Sequence, residues 1–227
     1  MADHYVNPLG SDSNPGTLLL PFRTIQRAAD LVNPGETVIV QAGIYTDEDG
    51  DGVIVNLSRG GTADATIIFK AETRWGAKLD GLSNTAHTGF RFSSGANYIR
   101  IEGFEIYGLG NGVSGGASGI EIYSGGHDTE IVANHIHDIG RMCTDTTNGE
   151  VGVFVQQPRV LLEGNLIHDI GRFAPGEQGC QPALPYYKNH DHGIYITAAT
   201  GGQIRGNWIM IASADGPFRS IRAPQIA

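Results

Sequence analysis

Positive charge is scarce in this sequence: Lys and Arg total 15 against 24 Asp and Glu, a net charge of −9. Nonspecific nucleic-acid binding needs a basic face, so no nucleic-acid partner is expected. No apolar run is long enough to span a bilayer, and no membrane partner is expected. No secretory leader stands ahead of the first folded-looking residues after Met1-Ala2-Asp3-His4. Cysteine is nearly absent, occurring only as Cys143 and Cys180. Each follows an Ile-His-Asp-Ile-Gly segment in the insertion of two successive repeats, so the pair could close a disulfide in an oxidising compartment; two unrelated thiols are the alternative. Two cysteines are too few ligands for a zinc site there. Low-complexity sequence is missing too, since the 33 glycines fall at corners.

What is present is one pattern written four times between Gly89 and Ile211. Gly89, Gly119, Gly152 and Gly193 open the copies, and Phe104, Asn134, Asn165 and Asn207 mark a second fixed point. A period of roughly 30–40 residues signals stacked units, each too small to bury its apolar face alone. After each opening Gly the chain alternates. Phe90/Phe92, Ile120/Ile122, Val153/Val155 and Ile194/Ile196 point one way, and Arg91, Glu121, Phe154 and Tyr195 the other. A second short strand leads to the Phe104 or Asn corner, and a third strand follows. Asn tolerates left-handed backbone angles and so suits a tight, stacked corner. Three short strands per unit without helical periodicity predict an all-β, single-stranded parallel β-helix. The leucine-rich-repeat consensus is missing, and a propeller blade needs a fourth strand.

The chain reads as one domain, residues 1–227, with a cap and first coil over 5–45, coils over 46–213 and an irregular tail over 214–227. Pro21 is placed for a first helical turn, Phe22, Ile25, Ala29 and Val32 form a helical stripe, and Pro34-Gly35 stops it. Thr37–Gln41 reads as a strand. An N-terminal α-helix laid across the first coil would cover its open end.

Within the cap the chain resembles a known group. Tyr5-Val6-Asn7-Pro8, Gly10-Ser11-Asp12-Ser13-Asn14-Pro15-Gly16-Thr17, Pro21-Phe22-Arg23-Thr24-Ile25-Gln26 and Gly43-Ile44-Tyr45 are similar to the N-terminal region of secreted right-handed parallel β-helix proteins. That group includes pectate-lyase-like, alginate-lyase-like and chondroitinase-B-like polysaccharide lyases, and Gly60-Gly61-Thr62-Ala63 with Ile67-Ile68-Phe69-Lys70-Ala71 looks like its next coil. The resemblance implies a right-handed coil, secretion, a polysaccharide substrate, and lyase activity on a uronic-acid polymer. Glycoside hydrolysis and non-catalytic sugar binding are the alternatives. The group's catalytic Lys/Arg pairs and calcium-binding acids have no residue-by-residue match here.

The tail Gly216–Ala227 drops the alternation where a further coil should open. Read one nucleotide out of phase, suitable codons for it spell a coil-like continuation, so a frameshift or early truncation is expected. An uncapped end would then favour homo-oligomer formation by end-to-end pairing.

Stacking in register turns residues far apart in sequence into columns about 4.8 Å apart. The insertions 141–150 and 172–191 border the first-strand face, and Lys188-Asn189-His190-Asp191-His192-Gly193-Ile194-Tyr195 is its densest polar run. Lys188 is the only lysine after Lys78. β-Elimination needs a base for the proton α to a uronate carboxylate and a cation to hold the resulting charge. The candidate catalytic residues are Lys188, His190, Asp191, His192, Tyr195 and Glu150. Arg91, Glu121, Tyr123, Phe154, His168 and Arg172 are the candidate substrate contacts, with Tyr186 and Tyr187 as further stacking rings. Glu121, Glu150 and Asp191 would be the oxygen ligands of a Ca2+ ion, the only cofactor anticipated. Asp138 and Asp169, one coil apart, fit either a glycosidase carboxylate pair or simple solenoid repetition.

Overall fold

The computed structural model describes residues 3–83, 85–110, 116–143, 149–173, 178, 191–197, 199–213 and 216–222, the last stretch and 211–213 by their backbone. Each coil contributes one strand to each of three parallel sheets, and about five coils make a right-handed solenoid.

The first sheet joins β4 (Val53–Leu57), β7 (Thr88–Phe92), β10 (Ser118–Ile122), β13 (Val151–Val155) and β16 (His192–Ile196). The second joins β1 (Asp3–Val6), β2 (Thr37–Val40), β5 (Ile67–Ala71), β8 (Ile99–Glu102), β11 (Glu130–Val132), β14 (Leu161–Glu163) and β17 (Gln203–Arg205). The third joins β3 (Gly43–Tyr45), β6 (Ala77–Asp80), β9 (Glu105–Tyr107), β12 (His135–Ile139), β15 (Leu166–Ile170), β18 (Trp208–Ser213) and β19 (Gly216–Arg222). The last strand runs antiparallel to β18, so the parallel pattern ends where the sequence alternation does.

Inward columns of apolar side chains in each sheet build the core. Val55, Phe90, Ile120 and Val153 lie in register in the first sheet, Phe69, Ile101, Ile131 and Leu162 in the second, and Leu79, Ile106, Ile136 and Ile167 in the third. All are buried.

The opening glycines have a packing reason. A Cβ on Gly152 would sit 2.4 Å from the Gly193 carbonyl oxygen and 2.8 Å from Ile167 Cγ2, and Gly89 and Gly119 are as crowded. At the corner between the second and third sheets Asn134, Asn165 and Asn207 form a buried amide ladder. Asn134 Oδ1 accepts from the Phe104 amide, Asn165 Oδ1 from the Asn134 amide and Asn207 Oδ1 from the Asn165 amide, each at 2.9 Å. Their Nδ2 groups donate to Ile101, Ile131 and Leu162 carbonyls. The sequence argument from left-handed tolerance misplaces the strain by one residue: Gly103, Ala133, Gly164 and Gly206 take the positive φ, and the asparagines satisfy backbone groups.

The cap helix α1 spans Ile25–Leu31 and starts later than predicted. Thr24 is its N-cap, accepting from the Arg27 amide at 3.0 Å, whereas Phe22 instead bridges to Val6. Gln26 covers the edge of β4: its Oε1 accepts from the Asn56 amide at 2.7 Å and its Nε2 donates to the Asn56 carbonyl at 3.1 Å. A side-chain amide thus replaces the missing neighbouring strand. No helix of the described residues is long and apolar enough to cross a membrane.

Candidate functional site

The outer face of the first sheet carries one row across all five strands. Asn56, Arg91, Glu121, Phe154 and Tyr195 are in register from β4 to β16. The row is polar at one end and aromatic at the other. Arg91 Nε donates to Glu121 Oε2 at 2.9 Å, and Arg91 Nη2 to His87 Nε2 at 3.1 Å. Burial and the Arg91 guanidinium together hold His87 below the usual imidazole range, which suits it to accept that bond. Toward β16 the rings take over. Tyr123 stacks on Phe154 with centroids 6.0 Å apart, Phe154 on Tyr195 at 5.7 Å, and His192 on Tyr195 at 4.9 Å. Tyr123 is 53% exposed and Tyr195 40% exposed.

The edge of this face, just ahead of the strands, is a polar clamp. Arg172, buried, donates through Nη2 to Asp191 Oδ1 at 2.8 Å and through Nε to Oδ2 at 3.1 Å. Asp191 also accepts from the Arg172 and Glu150 amides. Glu150 is 3% exposed, and its Oε2 accepts from the Ala117 amide at 2.7 Å. Burial pushes the Glu150 carboxyl up to about 7, with Asp191 adding to the rise.

This arrangement places the expected site residues relative to one another. Arg172 is held by both carboxylate oxygens of Asp191. Asp191 and Glu150 hold the approach to β13 and β16 together. Glu121, paired with Arg91, lies four residues further along its strand than the Glu150 column. Glu121, Glu150 and Asp191 therefore do not converge as a calcium site. Lys188, His190, Tyr186 and Tyr187 lie outside the described residues. Cys143 is disulfide-bonded, and Cys180 is the other cysteine of the chain.

His168 belongs to a different face. Tyr107, His137, His168 and Met210 form a column on the third sheet, as the sequence indicates, but that sheet looks away from Arg91 and Tyr195. Asp138 and Asp169 take φ of 53° and 51° and accept from Nδ1 of the preceding histidine, at 2.7 and 2.6 Å. Each carboxylate is committed to an imidazole, which favours the repetition reading over a glycosidase pair. A polar depression of about 630 Å³ also opens between α1 and the 46–53 loop, at the β4 end and remote from Tyr195.

The family model of the Pel9A-like right-handed β-helix region matches residues 4–159. The chain belongs to this family. A pectate lyase, PEL9 of Emericella nidulans, is 34% identical over 80 residues, covering 35% of this chain and 18% of that protein. Among solved structures, a pectate lyase Pel9A superposes with a TM-score of 0.51 at 19% identity, covering 90% of this chain and 62% of the other. A rhamnogalacturonan lyase gives 0.50 at 18% identity, covering 94% and 66%. A lacto-N-biosidase of Eubacterium ramulus gives 0.52 at 15% identity, covering 94% and 35%. The structural likenesses establish the fold, and the chain spans under a fifth of the fungal relative it matches.

For this Pel9A-like β-helix, the sequence located the exposed row and its register residue by residue. It missed His87 as the partner of Arg91, and Glu105 and His135 on the third sheet. The missed signal was register: His135 lies directly over Glu105, one coil away.

Proposed function

We propose that the outer face of the first sheet is the sugar-binding face of a polysaccharide lyase acting on a uronic-acid polymer. The observation that carries this reading is the stacked aromatic run Tyr123–Phe154–Tyr195, of which Phe154 and Tyr195 continue the Arg91–Glu121 pair along one row. The exposed parts of these rings offer apolar contact to pyranose rings, and Arg91 offers a guanidinium to a uronate carboxylate. The family, with pectate lyases among its relatives, supports the same substrate class.

In β-elimination a base removes the proton α to the carboxylate, the electrons of that C–H bond form the new C=C bond, and the glycosidic C–O bond breaks with its pair left on oxygen. An acid then protonates the leaving oxygen. His192 and Tyr195, ring against ring, are the described groups suited to these transfers. Lys188 and His190 are further candidates from the adjoining segment. Arg91 would stabilise the charge gathering on the carboxylate. The acids named for calcium do not fit a site, so no step is routed through one.

The test is a panel of uronic-acid polymers with and without Ca2+, read by ultraviolet absorbance and by reducing ends. Lyase action creates both signals together and is lost in Tyr195→Phe/His192→Ala. Reducing ends alone would indicate hydrolysis, and binding without either signal a non-catalytic module.

A further inference from the structure

The outer face of the third sheet holds a second chemical centre. Glu105, His135 and His137 come from adjacent coils, and one ligand atom from each lies within 4.8 Å of the other two. Glu105 Oε1 is 3.2 Å from His137 Nε2. Two ligands of one tetrahedral ion at about 2.0–2.2 Å from it are separated by roughly 3.3–3.6 Å. We propose that Glu105, His135 and His137 bind a divalent transition-metal ion, with Zn2+ the best match to two imidazoles and one carboxylate.

Proton placement supports the assignment. His137 Nδ1 donates to Asp138 and His168 Nδ1 to Asp169, so Nε2 is the nitrogen each ring has left for another partner. His168 Nε2 meets His135 Nε2 at 2.7 Å. His137 Nε2 faces Glu105 Oε1 at 3.2 Å, a contact that either a proton or a metal ion between them satisfies. An Nδ1–H held by a carboxylate is also what orients and strengthens a metal-binding histidine.

The surroundings favour a cation and a fixed geometry. Asp80, Glu105, Asp138 and Asp169 gather around this part of the sheet, with Lys78 Nζ 2.6 Å from Glu105 Oε2 and Arg141 near Asp138. The His137 ring is sandwiched between Tyr107, at 5.4 Å and 5°, and His168, at 5.1 Å and 9°. Trp75 lies against His135 at 4.8 Å and is itself anchored by its Nε1 donating to the Ala133 carbonyl. Imidazole ligands select Zn2+, Ni2+ or Cu2+ over Ca2+ and Mg2+. An ion here ties β9 to β12, clamping one coil to the next.

The experiment is calorimetric titration of chelator-treated, tag-free full chain with Zn2+, alongside zinc-edge X-ray absorption. One ion per chain is expected, with histidine nitrogens and a carboxylate oxygen at about 2.0–2.2 Å. Binding should vanish in His135→Gln/His137→Gln, and Asp138→Asn should weaken it about 10–100-fold. Asn tolerates the left-handed backbone at position 138, so this variant reports ligand orientation even where the double variant folds poorly. Absence of a stoichiometric ion at micromolar Zn2+ overturns the proposal. So does an affinity unchanged in Asp138→Asn and the double variant, or an absorption spectrum without histidine ligands. In the first case a proton shared by His137 and Glu105 is the occupant.

Discussion

Asn165 shows how much one buried side chain does in a solenoid. Its Oδ1 and Nδ2 satisfy one backbone amide and one carbonyl at the corner, and Asn207 repeats the arrangement one coil on. Asn165→Ala leaves buried groups unpaired and should cost roughly 1–3 kcal/mol, read by denaturant unfolding. Glu150 makes a pH-dependent contribution. Its folded value near 7 lies above the ordinary 4.5, so between those pH values the folded chain holds a proton the unfolded chain has lost. Its contribution to stability is therefore highest below about 4.5, falls as pH rises, and is fully lost above about 7, by roughly 2–4 kcal/mol. Glu150→Gln should remove this slope: its stability relative to wild type rises from pH 4 to pH 8 in thermal melts. A difference flat with pH would contradict the assignment. The sequence exposed Glu150 as a residue of interest but not its burial, because a polar residue ahead of a strand looks alike whether solvated or covered.

The strand register was the most legible feature at the scale of elements. A period-two pattern opened by Gly specifies which face each side chain takes, and a one-residue slip would send Arg91 and Glu121 into the core. Gly152→Ala keeps the strand propensity but forces a methyl against the Gly193 carbonyl, 2.4 Å from an ideal Cβ. It should destabilise by about 1–3 kcal/mol, seen as a lower unfolding midpoint. The cap helix was less legible. Its apolar spacing reads on backward through Phe22, but Asp12 accepts from the Arg23 and Thr24 amides and Thr24 caps at Arg27, so helix geometry starts only at Ile25. That tertiary contact has no signature in local periodicity. Gln26→Ala should lower stability by about 1 kcal/mol and speed amide exchange at Asn56, because β4 loses its edge partner.

At the scale of the whole molecule, a stack of coils converts linear repetition into long rows, and each sheet's outer face becomes a separate surface. This separation explains why the residues gathered from sequence divide in the structure. Arg91, Glu121, Phe154 and Tyr195 share the first sheet, Glu150, Asp191 and Arg172 brace its edge, and His168 lies on the third. Repeat position specifies a row, but whether an acid faces solvent or a neighbouring arginine depends on connections whose course the pattern does not encode. The lyase reading stands or falls on the aromatic row. The most direct measurement is turnover of a uronic-acid polymer followed in the ultraviolet, comparing wild type with Phe154→Ala/Tyr195→Ala. The expected result is accumulation of unsaturated uronate by wild type and at least a tenfold loss in the variant, with melting behaviour retained, consistent with about 1.4 kcal/mol or more of lost stacking. Equal turnover by the two proteins, or bond cleavage without the unsaturated product, would contradict it.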